Sequence, residues 1–180
     1  MKGKMLYTDS SKSPSERAED LLKRLTGRTY GEDPALASAM GVACVKGLQK
    51  QVGNHMGLLA TAKHFLGYQG SQGGIHAAEC DITERLLREI YAKPFQAAIT
   101  EGNMQGIMPC YGTINGEPVT ISEGLLKGLL RQEMGFQGIV VSDYCDVSEA
   151  HERQKVGETL MEAGFAALRA GGGGSGNYFR

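Results

Sequence analysis

GIVVSDY, residues 138–144, is the stretch on which the reading of this 180-residue chain turns. Ile139, Val140 and Val141 form an unbroken apolar run, which predicts a strand buried on both faces as in a parallel sheet. The run ends in Ser142-Asp143-Tyr144. A carboxylate at the mouth of a buried strand either caps the helix that follows or is placed for chemistry.

Two further segments repeat the pattern. Residues 57–62 (GLLATA) predict a short apolar strand ending in Lys63-His64, and residues 106–109 (GIMP) another that ends at Cys110-Tyr111-Gly112. Helical signals alternate with them. Residues 14–25 read as one helix. Asp33-Pro34 reads as N-cap and first position of a helix to about Val52, with Leu36, Met40, Ala43 and Gly47 on its apolar face. Asp81 and Glu84 resemble a capping box for a helix through Leu87 and Ala98 to Gly102, which Pro94 should kink or split. Asn115-Gly116 marks a turn, and Ser122 is placed to cap a helix through Leu125, Leu126, Leu129 and Leu130. A last helix carries Val156, Leu160, Ala163, Ala167 and Leu168. Strands alternating with helices predict an α/β fold, and ligands in such folds bind at the C-terminal ends of the strands. Lys63, His64, Tyr111 and Asp143 all fall at such ends. A cation, an imidazole, a phenol and a carboxylate on one rim suit a polyhydroxylated ligand.

Composition narrows the alternatives. A charged fraction of 22% and net charge of −1 argue against disorder and against a nucleic-acid surface. No apolar run reaches the roughly 18 residues of a membrane span, and no secretory h-region opens the chain, so a cytoplasmic location is expected by default, although a mature secreted form would read the same. The four cysteines, Cys44, Cys80, Cys110 and Cys145, are irregularly spaced and are expected reduced and mostly buried. His76 to Cys80 and Met108 to Cys110 lack the spacing of a zinc deaminase. Neither a dinucleotide fingerprint nor a Gly-x-Ser-x-Gly elbow is present, and no metal or organic cofactor is expected. Glycine numbers 26, about twice the usual ~7%. Part of the excess lies in GGGGSG, residues 171–176, which reads as a flexible linker.

Five segments, GRTYGEDP (27–34), ATAKHFLGY (60–68), DITERLLREIYAKPFQAAI (81–99), GIMPCYGTINGEPVT (106–120) and GFQGIVVSDY (135–144), resemble glycoside hydrolase family 3 in order and spacing. The resemblance implies that Asp143 is the catalytic nucleophile of a retaining, exo-acting β-glycosidase. It implies that Arg28, Lys63, His64 and Tyr111 contact the sugar of a β-linked glucoside or xyloside. Glu32 and Asp33 match positions of a structural kind. A cation at Lys63 or Arg28 would keep such a nucleophile ionised.

The chain departs from the family in two ways. A complete (β/α) barrel takes about 250 residues, whereas three to four parallel strand-helix units are legible here. The expected fold is therefore a partial, half-barrel-like TIM (β/α) barrel over residues 27–170, preceded by a helical segment at 1–26 and followed by a linker-like tail at 171–180. The second departure is the acid that protonates the leaving group. None is evident, His76 and Glu79 being weak substitutes, so hydrolysis by the isolated chain is expected to be weak or absent. An open half-barrel exposes strand edges and favours self-association or pairing with a complementing barrel fragment. The alternative readings are a non-enzymatic half-barrel scaffold, natural or engineered, and a sugar-binding module without turnover.

Overall fold

A computed structural model describes residues 11, 13, 30–51, 53–54 and 57–171. The expected helix at 14–25, Arg28 and the glycine-rich tail beyond Gly171 lie outside the described residues.

Asp33 caps α1 (Pro34–Gln49) as its sequence predicts: its carboxylate accepts from the Ala35 N–H at 2.7 Å, and Pro34 occupies the first turn. The buried face differs from the expected one. Val42 and Val45 are buried, whereas Ala43 and Gly47 face outward. Packing against α3 (Lys93–Thr100) selects that face, and Gln49 fastens the pair by donating from Nε2 to the Asn103 carbonyl at 2.9 Å.

Three parallel strands form the central sheet, in the order β1 (Thr61–Phe65), β3 (Gly106–Pro109), β6 (Ile139–Val140). With the helices between them they make a partial α/β fold, and among the described residues the sheet does not close into a barrel. β1 starts later than its sequence predicts. Leu58 and Leu59 are exposed ahead of it, and Lys63-His64 lies within the strand rather than beyond it. The register against β3 shifts between Lys63 and Phe65, which takes His64 out of the ladder. The Lys63–His64 and Phe65–Leu66 peptide bonds are cis.

A second sheet was not legible in the sequence. β2 (Glu79–Cys80) pairs in parallel with β4 (Thr113–Ile114), which forms a hairpin with β5 (Glu117–Pro118). The turn between β4 and β5 places Asn115 at φ 50° and Gly116 at φ 86°, the positive pair that a two-residue hairpin demands. Asn115 also clamps the chain at Ile82, accepting from its N–H at 3.2 Å and donating to its carbonyl at 3.0 Å.

Residues 81–102 are divided as Pro94 predicts. α2 spans residues 84–91, α-helical over Glu84–Leu86 and π-wound over Leu87–Tyr91, and Ala92 separates it from α3. Its N-cap is Thr83 rather than Asp81: the Thr83 hydroxyl accepts from the Leu86 N–H at 3.3 Å. α4 (Gly124–Glu133) is π-wound and buries Leu125, Leu126, Leu129 and Leu130, with the Ser122 hydroxyl accepting from the Leu125 N–H at 3.2 Å. The chain then approaches β6 through Gly138, where an added Cβ would sit 2.1 Å from the Gln105 carbonyl oxygen, so only glycine fits. Arg131 holds this approach by donating to the Phe136 carbonyl at 3.0 Å and the Gly138 carbonyl at 2.6 Å.

Beyond β6, one expected helix is two. α5 (Asp146–Glu152) and α6 (Leu160–Arg169) pack through Val147, Ala150, Ala163 and Ala167. Leu160 and Leu168, expected on the buried face, are exposed, and the side chains that α6 buries against α5 are Ala163 and Ala167. Val140 is buried, but Ile139 is 50% exposed. The expectation of a strand covered on both faces fails at Ile139, whose side of β6 the described residues leave half uncovered. Of the four cysteines, all free, Cys80 and Cys110 are buried while Cys44 and Cys145 are exposed.

Candidate active site

Asp143 does not cap α5. The residue before that helix is Cys145, in the left-handed conformation at φ 58°, and no side chain caps the helix. The Asp143 carboxylate instead turns to the rim. Its Oδ1 accepts from the Tyr144 N–H at 2.8 Å, and its Oδ2 lies 3.1 Å from His64 Nε2, both side chains being only 12–13% exposed. The parallel register of β1, β3 and β6 delivers this meeting, because it brings the ends of all three strands to one edge.

Aromatic rings run round the carboxylate from there. His64 stacks on Tyr68 with centroids 5.1 Å apart and planes 27° from parallel. Tyr68 meets His76 edge-on at 6.0 Å, and His76 meets Tyr111 edge-on at 5.4 Å. Tyr111 closes the circuit. Its hydroxyl donates to the Tyr144 backbone carbonyl, and its phenol is held neutral by burial and by the Asp143 charge beside it. The Tyr111 carbonyl is itself fixed by Gln154 Nε2 at 2.7 Å and Arg153 at 3.3 Å.

Of the residues the sequence nominated, the structure groups His64, Tyr111 and Asp143. Lys63 is exposed, and no described contact joins it to Asp143. Arg28 lies outside the described residues. Asp33 is the α1 cap, and Glu32 is exposed. His76 belongs to the ring circuit, whereas Glu79 is engaged in the hairpin: it accepts from the Gly116 N–H at 2.9 Å and from the Thr113 hydroxyl.

Sequence reasoning gave no role to Tyr68 or Asp146. Tyr68 ends a segment already singled out for its Lys-His pair, and an aromatic four residues past a rim histidine was the available signal. Asp146, three residues beyond Asp143, is buried, and its Oδ2 has no hydrogen-bond partner. Burial pushes its carboxyl up to about 7. Among the described residues no group of three His, Cys, Asp or Glu side chains could hold a metal ion. No described helix is long and apolar enough to cross a membrane.

Comparison with known proteins gives this rim a context. A family profile described as the glycosyl hydrolase family 3 N terminal domain matches residues 18–172. A β-xylosidase of Formosa agariphila is 42% identical over 146 residues, 79% of this chain and 20% of that protein. A β-glucosidase of Rhizobium radiobacter is 39% identical over 123 residues, 67% of this chain and 14% of its own length. Among solved structures, a β-glucosidase from Erythrobacter marinus superposes with TM-score 0.76 at 36% identity, covering 80% of this chain and 20% of that one. The Listeria innocua β-glucosidase in complex with glucose gives TM-score 0.75 at 29% identity, again over 80% and 20%. The chain thus spans about a fifth of the length of the first relatives it matches.

Proposed function

The chain belongs to glycosyl hydrolase family 3, and from that premise we propose that it carries the nucleophile half of a retaining β-glycosidase site for β-linked glucosides or xylosides. The carrying observation is the Asp143 carboxylate, turned away from helix capping, paired with His64 and ringed by Tyr68, His76 and Tyr111. In the proposed step a carboxylate oxygen of Asp143 attacks the anomeric carbon. The bond from that carbon to the aglycone oxygen breaks, and the leaving oxygen keeps the electron pair. The His64 ring orients the carboxylate, Tyr111 holds the turn that bears it, and the aromatic faces suit the apolar faces of a sugar ring. Lys63 and Arg28 remain the proposed hydroxyl contacts. A natural leaving group also needs a proton, and with Glu79 occupied elsewhere the set supplies no assigned acid.

An activated 2-fluoro glucoside or xyloside tests this half-site alone, since its leaving group departs without an acid. Intact-mass spectrometry should show one glycosyl adduct that maps to Asp143, and Asp143→Ala should abolish it. A folded chain that takes no label, or one labelled equally after the substitution, removes the glycosidase reading. A second reading is favoured by the exposed Leu58, Leu59 and Ile139, namely a half-barrel scaffold that self-associates through its open face. Sedimentation would then show dimers in a protein that never labels.

A further inference from the structure

α5 begins with a residue that the reaction above does not use. Asp146 is 1% exposed and one of its carboxyl oxygens has no partner. An ionised carboxylate so placed is strongly disfavoured unless a cation or several donors meet it. Its surroundings offer little of either. The Thr120 hydroxyl, from the turn Val119–Ile121, bonds it. Asp143 faces it from the β6–α5 turn, Cys110 and Tyr111 from the end of β3, and Glu149 and Arg153 from α5 and its C-cap. The buried side chains that α6 packs in this cluster are Ala163 and Ala167. Arg153, the cation in the set, is committed elsewhere, with Nε on Glu149 at 2.7 Å and Nη2 on the Tyr111 carbonyl. Burial is the largest influence on the Asp146 carboxyl, and Asp143 adds to it in the same direction.

The nucleophile turn is bonded to this residue. The Asp146 N–H donates to the Asp143 carbonyl at 3.3 Å, and the Tyr111 hydroxyl holds the Tyr144 carbonyl between them. An ionised Asp146 carboxylate would need water or further donors, which its 1% exposure denies it in this arrangement. We propose that Asp146 is a positioning residue for the nucleophile, its neutral carboxyl forming the floor of the Asp143 turn, so that loss of its proton to solvent displaces the turn and shuts the half-site. The inference rests on the reading of Asp143 as nucleophile.

The test follows the rate of labelling by the activated 2-fluoro glycoside against pH, for the full chain and for Asp146→Asn. The unsubstituted chain should lose at least about tenfold in labelling rate between pH 6 and 9, as expected for a required group titrating near neutrality. The variant keeps a neutral floor and should lose less than about threefold over the same range, whatever its absolute rate. An equal alkaline loss in both assigns that limb to His64 or another group and overturns the proposal. A second measurement does not depend on chemistry or on the variant. The Asp146 carboxyl carbon, followed by NMR, should titrate near neutral pH, with the Tyr144 amide moving at the same midpoint. An Asp146 that titrates in the ordinary carboxylate range, or a Tyr144 amide indifferent to it, overturns the proposal. A coupled titration without any labelling would instead overturn the glycosidase reading and uphold the link between Asp146 and the turn.

Discussion

Among the described residues the buried apolar side chains form two clusters, and these are built differently. The larger surrounds the central sheet with big side chains from β1, α2, β3 and α4, among them Phe65, Leu87, Ile107 and Leu130, and with Phe136 before β6. The smaller joins α5 to α6 through Val147, Ala150, Ala163 and Ala167, with Ile121 against it. One face of α6 is buried through alanines while Met161, Phe165 and Leu168 stand exposed on another. Asp143 precedes α5, and Asp146 is buried in its first turn, next in sequence to Val147 of the smaller cluster. Large side chains pack round the central sheet, whereas α5 and α6 bury mainly small ones against each other.

Substitutions on either side should expose that contrast, and the deepest break is expected in the larger cluster. Phe136 is 0% exposed and lies under the Arg131 guanidinium at 4.9 Å. Phe136→Ala should remove about 3–5 kcal/mol of stability in urea unfolding. A loss below about 1 kcal/mol would show that this cluster is not the stable half.

Asp146→Asn should act in the opposite direction. The Asp146 carboxyl rises from its ordinary 3.8 to about 7 in the folded chain. Between those values the folded chain holds a proton that the unfolded chain has released, so stability falls as pH rises from about 4 to about 7 and is level above. At pH 8 the neutral variant should be more stable by on the order of 4 kcal/mol, a gain that vanishes towards pH 4. Thermal unfolding at the two pH values checks this, and an equal change at both would assign the effect to packing.

Smaller effects sharpen the picture within α6. Thr159 and Glu162 form a reciprocal capping box, the Thr159 hydroxyl accepting from the Glu162 N–H at 3.3 Å and Glu162 Oε2 from the Thr159 N–H at 3.2 Å. Thr159→Ala should therefore lower stability by about 1 kcal/mol. Phe165 is 63% exposed, and Phe165→Ser should change monomer stability by no more than about 0.5 kcal/mol in urea unfolding. A larger loss would show that α6 is covered on that face as well.

Signals that act locally could be read from the chain. Asp33-Pro34 starts α1, Pro94 divides α2 from α3, Ser122 caps α4 and Asn115-Gly116 turns the hairpin, each because the required backbone geometry is set within a few residues. Apolar runs likewise located β3 and β6, and the strand ends put Lys63, His64, Tyr111 and Asp143 on one rim, of which the structure groups the last three. Other features depended on partners remote in sequence. Which face of α1 is buried was settled by α3, and Ile139 is exposed because the described residues leave its side of β6 half uncovered. Glu79 looked like a spare acid until the hairpin claimed both of its oxygens. Asp146 was given no role from the sequence. What the sequence by itself determined was the alternation of strands and helices and the residue types at the strand ends, since periodicity and capping are properties of contiguous chain. Only the tertiary structure decided what surrounds Asp143 and whether Asp146 reaches water, because burial is set by segments that the sequence does not place side by side.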